Sequence, residues 1–207
     1  MLEFTVEDWS AEDVERMRGI YGPLADSVRA LVDATIRTEA DAATVAEVTR
    51  DIDAAVSRLR ERQIDGAFGV RVATDGHGIS WGNAVIGVRN ALAPPVHTHR
   101  DESGRVSADF HLGAAYEGPP GHVHGGVSAL ILDHLLGEAA SPDQKPRFTG
   151  SITVRYLRAT PLGALHVEAV RTRTDGVKTY CTGTIADAEG ITVEAEGVFI
   201  TPRWLRD

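Results

Sequence analysis

The segment from Gly126 to Ala140, Gly-Val-Ser-Ala-Leu-Ile-Leu-Asp-His-Leu-Leu-Gly-Glu-Ala-Ala, limits the fold more than any other part of the chain. It is apolar on nearly every side, and such a helix must be surrounded by protein. Ser141-Pro142 stops it. One carboxylate, Asp133, lies mid-run, and burying an ionised carboxylate is costly unless it is paired or hydrogen-bonded. The face carrying Ala129, Asp133, Leu136, Gly137 and Ala140 is mostly small, which leaves room for something to approach the acid. Two readings stand: Asp133 caps or pairs with a neighbouring element, or it is a reactive group.

The material to surround this helix follows it. Ile152, Val154 and Tyr156 alternate with Ser151, Thr153 and Arg155. Leu165, Val167 and Ala169 alternate with His166 and Glu168, and Tyr180, Thr182 and Thr184 with Cys181 and Ile185. Ile191, Val193, Ala195 and Phe199 alternate with Thr192, Glu194 and Glu196. Period-2 alternation gives each strand one buried and one wet face. The joins at Pro161-Leu-Gly163, Asp175-Gly176 and Glu189-Gly190 predict an antiparallel meander. Upstream, Trp81–Val88 and Arg105–Ala115 are strand candidates around a loop at 90–104. One sheet with one apolar face and one apolar helix predicts an α+β fold, an antiparallel β-sheet wrapped around one long central helix.

Residues 10–62 are expected to form amphipathic helices. Ser10-Ala-Glu-Asp13 resembles a capping box, and Gly22-Pro23 is expected to break the chain. Leu24, Val28, Leu31, Val32 and Ile36, then Val45, Val48, Ile52, Val56 and Leu59, fall at helical spacing. The domain expectation is an α-helical N-terminal extension at 1–65 and a sheet domain at 66–207.

Charge narrows the partners. The 207 residues carry a net −9, of which residues 1–65 hold −7, from 15 acidic and 8 basic side chains. An acidic chain lacks the basic face that non-specific nucleic-acid binding requires, so no nucleic acid is expected. The start, Met1-Leu-Glu-Phe-Thr-Val-Glu-Asp, lacks the basic and apolar regions of a signal peptide. No apolar run approaches the roughly 20 residues of a membrane span. A cytoplasmic location is the expectation. The single cysteine, Cys181, excludes an intrachain disulfide.

The loop Gly118-Pro-Pro-Gly-His-Val-His-Gly-Gly126 enters the helix. Glycines at a helix start let a ligand approach backbone N–H groups with the positive end of the helix dipole behind them. Such a site stabilises an oxyanion; a tight strand-to-helix turn is the structural alternative. Gly126 and Asp133 are seven residues apart, about 10.5 Å along a helix. One carbonyl cannot touch both. Either the two do not cooperate, or antiparallel helices of two subunits bring Gly126 of one chain to Asp133 of the other.

The order of elements, with His124-Gly125-Gly126, then Asp133, then the strand Thr149-Gly-Ser-Ile-Thr-Val-Arg-Tyr-Leu-Arg-Ala-Thr-Pro161, resembles the hotdog-fold acyl-CoA thioesterases. The similarity is to the phenylacetate-pathway type and the thioesterase-superfamily-member type, and covers roughly residues 80–201. It implies that Asp133 is the general base or nucleophile and that the Gly126 N–H belongs to the oxyanion hole. It implies that His124 orients the carbonyl or the water, and that Thr149 positions the water. Gly125 and Lys178 would contact the CoA part of the substrate, with Arg155, Arg158 and Arg173 as other basic candidates. No cofactor is implied, coenzyme A entering only as part of the acyl-CoA substrate. A homo-oligomer follows, a dimer with interfacial sites and a dimer of dimers beyond it. His134 receives no role.

The chemistry is self-consistent, because a thioester lacks the resonance of an oxoester and yields to a carboxylate-activated water without a metal. Two other readings compete. His97-Thr-His99 and His122-Val-His124 have the spacing of a metal pair on a strand, but no downstream Glu follows, and no metal is expected. A non-catalytic acyl-CoA sensor would suit the helical extension, although its net −7 does not suit DNA contact. No Asp-x-Asn-x-x-His hydratase motif occurs.

Overall fold

A computed structural model describes residues 5–142 and 145–206. The first four residues of the acidic start lie outside the described residues. The chain divides into two compact units, Met1–Leu92 and Ala93–Asp207.

The first unit contains β1 (Thr5–Val6), α1 (Ala11–Arg37), α2 (Ala42–Arg60), β2 (Arg71–Val72) and β3 (Gly78–Ile79). The three short strands form one sheet in the order β1-β2-β3. Ser10 and Asp13 close the expected capping box, each side chain taking the other's backbone N–H at 3.1 Å. The expected break at Gly22-Pro23 is absent, and α1 runs through Pro23. Packing on both sides accounts for this: Val14, Met17 and Tyr21 pack against a core of Ala73, Ile79 and Trp81, and Ala25 is buried. That burial offsets a proline cost of about 3 kcal/mol.

Trp81–Val88 is not a strand but a run of turns. The Asn83 Oδ1 accepts the N–H groups of Val85 and Ile86 at 2.7 and 3.2 Å, and the Gly87 N–H donates to the Asn83 carbonyl at 3.1 Å. A side chain that closes its own backbone turn competes with a strand ladder and here wins. Trp81 then stacks on Trp9 and Phe68, with ring centroids 6.4 and 6.1 Å apart. These contacts place the division at Leu92 rather than residue 65, because Phe68, Trp81 and Val88 share a core with α1.

The second unit contains β4 (His99–Arg100), β5 (Val106–Leu112), α3 (Gly125–Ala140), β6 (Phe148–Tyr156), β7 (Gly163–Asp175), β8 (Lys178–Asp187) and β9 (Gly190–Ile200). The strands pair antiparallel in the order β4-β5-β7-β8-β9-β6. Val106, Ala108, Phe110 and Leu112 alternate inward on β5, Leu165, Val167 and Ala169 on β7, and Val193, Ala195 and Phe199 on β9. They enclose Ile131, Leu132, Leu135 and Leu136, each wholly buried on α3. The fold is therefore the expected α+β wrap.

Two expectations change. The last four strands are not a simple meander, because β6 pairs with β9 at the far edge and the chain crosses back to β7 beside β5. Alternation fixes which face of a strand is buried, not which strand lies beside it. Nor is α3 covered all round: Leu130 is 40% exposed, Gly126 is exposed, and Asp133 and Gly137 are half-buried. These positions form one stripe along the helix.

Candidate active site

The loop before α3 is folded by its own backbone. The Gly118 N–H donates to the His122 carbonyl at 2.9 Å, the His122 N–H to the Pro119 carbonyl at 2.8 Å, and the Gly121 N–H to the Glu117 carboxylate at 2.7 Å. A Cβ on Gly118 would lie 2.7 Å from the His124 Cα, so glycine is required where the loop closes on the helix start. Val123 and Leu162 tie the loop to the β6–β7 crossover through bonds of 2.9 and 3.0 Å.

This anchoring makes His124 the N-cap of α3. Its Nδ1 accepts the Gly126 N–H at 3.0 Å, while its carbonyl takes the Val127 N–H at 2.9 Å. A neutral ring accepting at Nδ1 carries its proton at Nε2. The exposed His124 thus presents a donor at the helix mouth while occupying the N–H expected to be open. Gly125 is held from the other side: the Tyr156 hydroxyl donates to its carbonyl at 2.8 Å, and the Tyr156 ring would lie 3.3 Å from any Cβ there. A cavity of about 350 Å³ opens here, lined by His122, Gly125, Ser128, Tyr156, Arg158 and Thr160.

Asp133 lies two turns on. The Thr149 hydroxyl donates to its Oδ1 at 2.9 Å. Thr149 is at the start of edge strand β6, where the register with β9 shifts between Thr149 and Ser151. Such a bulge re-aims a side chain. Asp133 and Thr149 line a second cavity of about 310 Å³ with His134, Gly137, Glu138 and Arg147. His134 holds Glu138 through Nε2···Oε1 at 2.9 Å, and the Thr98 hydroxyl donates to the same Oε1 at 3.1 Å.

The expected residues therefore fall into two groups. His124, Gly125 and Gly126 stand at the helix mouth, and Asp133 and Thr149 meet two turns away. Lys178 joins neither: it is exposed in the β7–β8 hairpin opposite Asp175, on a strand separated from β6 by β9. Of the other basic candidates, Arg158 makes a two-pronged ion pair with Asp187 and donates to the Gly190 carbonyl at 2.9 Å. That pairing holds the Asp187 carboxyl down at about 2. Arg155 pairs with Glu194 at 3.6 Å, and Arg173 lies 3.5 Å over the Tyr180 ring. The His-x-His pairs are not brought together as a metal set: His122 Nδ1 sits 2.8 Å from the Pro120 carbonyl, and the described residues contain no group of three or more metal-ligating side chains.

Sequence reasoning missed Tyr156 and Glu138. The i, i+4 spacing of His134 and Glu138 was a readable signal. Nothing local marked Tyr156, which reaches Gly125 from 31 residues downstream.

Residues 120–194 match the family model described as the thioesterase superfamily. The human acyl-coenzyme A thioesterase THEM5 is 30% identical over 94 residues, and the match covers 44% of this chain and 38% of that protein. The mouse THEM5 protein is 28% identical over the same length, so the chain spans less than two thirds of the curated relatives it matches. The crystal structure of RHA08564, a thioesterase superfamily protein, superposes with a TM-score of 0.78 at 35% identity, covering 95% of this chain and 94% of that one.

Proposed function

The chain belongs to the thioesterase superfamily, and from that premise we propose that it hydrolyses an acyl-CoA thioester to a free acid and coenzyme A. The observation that carries the reading is the Thr149–Asp133 hydrogen bond on the uncovered stripe of an otherwise buried helix. The Thr149 hydroxyl donates to Oδ1, which leaves Oδ2 of Asp133 to accept a proton from water. The Thr149 oxygen keeps lone pairs for the same water. A water held between the two has its own lone pair aimed outward, at whatever carbonyl lies along the stripe.

That carbonyl needs a donor, and none on the same helix is in reach, since Gly126 is about 10.5 Å away along the axis. A second copy with its α3 antiparallel supplies one. The stripe of Gly126, Leu130, Asp133 and Gly137 is its own complement under such a two-fold, with each Gly126 end meeting an Asp133. The exposed edge strand β6 supports the same pairing, because it offers a row of unpaired N–H and C=O groups.

At the mouth, the carbonyl oxygen is met first by the His124 Nε2–H. If the His124 ring turns, the Gly126 N–H is released to the same oxygen with the helix dipole behind it. Water oxygen bonds to the carbonyl carbon as Asp133 takes the water proton. The C–S bond breaks with its electron pair on sulfur, and the thiolate is protonated from Asp133 or solvent. Direct attack by Asp133, with an anhydride then hydrolysed, uses the same geometry. No cofactor enters either route. The cavities beside Gly125 and beside Asp133 would hold the two sides of the thioester.

The test is release of free thiol from a panel of acyl-CoA chain lengths. Wild-type turnover that vanishes in Asp133→Asn, with acyl-CoA still bound, supports the reading. Near-wild-type turnover in that variant removes Asp133 as the base, and binding without turnover in the wild type favours a non-catalytic acyl-CoA-binding protein.

A further inference from the structure

None of the residues of α2 is buried, although apolar side chains recur along it. Val45, Val48, Ile52, Ala55 and Leu59 follow at spacings of three, four, three and four. That rhythm is the seam of a coiled coil, which keeps one line of side chains against a second helix. Val45, Val48 and Leu59 are 46%, 43% and 52% exposed. The helix α1 does not cover them: Leu24 and Val28 of α1 and Leu59 of α2 instead line an open groove of about 900 Å³. α2 itself is well terminated, with Asp41 accepting the Thr44 N–H at 2.8 Å and Arg58 and Arg60 in the last turn. A capped helix about 28 Å long that holds an apolar seam in water is half of a pair.

Charge identifies the other half. Residues 41–53 carry Asp41, Glu47, Asp51 and Asp53 against Arg50, and residues 54–62 carry Arg58, Arg60 and Arg62 against Glu61. An antiparallel copy of the same helix lays each acidic half along a basic half. Asp51 and Arg58 each stand one position before a seam residue, Ile52 and Leu59, and so flank the contact. When Val48 of one helix faces Leu59 of the other, Ile52 faces Ala55, and each Asp51 comes within about 3 Å, along the axis, of the second copy's Arg58. A parallel pair in register sets Asp51 beside the second copy's Val56 and gains no such ion pair.

We propose that α2 is a self-association surface that pairs antiparallel with the α2 of a second copy of this chain, about a two-fold axis between Asp53 and Ala54. The pairing is isologous, so two Asp51–Arg58 ion pairs flank one continuous apolar seam. It does not rest on the hydrolase reading, and its test reads no catalysis.

The background for a thiol experiment is favourable: the native Cys181 is buried, and burial pushes its thiol up to about 11. Full-length Val48→Cys and Leu59→Cys chains are mixed and oxidised mildly, with circular dichroism confirming that each is folded. The expected product is the mixed disulfide dimer, formed at least ten-fold faster than either self-linked dimer. Dominant self-linking of Val48→Cys means a parallel pair and overturns the proposal, as does no cross-link at any concentration. A second arm uses sedimentation of Asp51→Arg and Arg58→Asp. Each alone is expected to weaken association roughly five-fold, and the double variant to restore it. A double variant as weak as the singles overturns the antiparallel register.

Discussion

The helices α3 and α2 share a preference for apolar side chains and differ in what covers them. α3 is enclosed by a six-stranded sheet except along one stripe, while α2 has nothing buried. What lies uncovered differs as well. On α3 it is a carboxylate held by a threonine and a glycine backbone, the groups on which the proposed hydrolysis rests. On α2 it is an apolar seam flanked by opposite charges, the pattern on which the proposed helix pairing rests. An exposed stripe on a buried helix has been kept open against a strong tendency to close. An exposed stripe on a surface helix awaits a cover.

Substitutions can break that contrast. The largest effect is expected on catalysis: Asp133→Asn lowers turnover by about 10²–10⁴-fold, the range for a positioned base, with little change in thermal midpoint. A large drop in midpoint would mean that Asp133 holds the fold together. Next comes the enclosed face of α3. Leu135 is wholly buried, and Leu135→Ala should cost about 2–5 kcal/mol in denaturant unfolding. The matching truncation on α2, Leu59→Ala, should cost no more than about 0.5 kcal/mol in dilute chain. At high concentration it should cost more, because the paired state is then the reference. A cost independent of concentration would place the cover of α2 within its own chain.

The smallest effect concerns pH. Arg158 holds the Asp187 carboxyl at about 2, below the ordinary 3.8, so the folded state favours the ionised form. Its contribution to stability is fully present above about pH 4 and is lost as pH falls towards 2. Midpoints of wild type and Asp187→Asn should differ at pH 6 and converge below pH 2. A constant difference would mean that the pair acts through packing rather than charge.

Much of the sheet domain was legible from alternation, because a strand with one wet face must write that face into its sequence. The capping box at Ser10 and the stop at Ser141 were legible because caps are local chemistry. The strand expected at Trp81–Val88 failed because the Asn83 side chain closes turns that hydrophobicity does not record. The break expected at Pro23 failed because packing against Trp81 outweighs a local preference. For the site, Asp133 and the glycines stood out as anomalies in an apolar run. Tyr156 stood out nowhere, since it acts through one hydroxyl at a distance.

Hydrophobic patterning along the chain was enough to place one helix inside a sheet, with a carboxylate at its middle. Helical rise, the same in every helix, also keeps Gly126 and Asp133 of one chain about 10.5 Å apart. Folding of the whole chain puts β6 at the sheet edge, brings Thr149 to Asp133 and lays His124 over the Gly126 N–H. Those outcomes depend on which segments become neighbours. Alternation and helical spacing specify a segment's own faces, and the choice of neighbour is made by packing the whole chain at once.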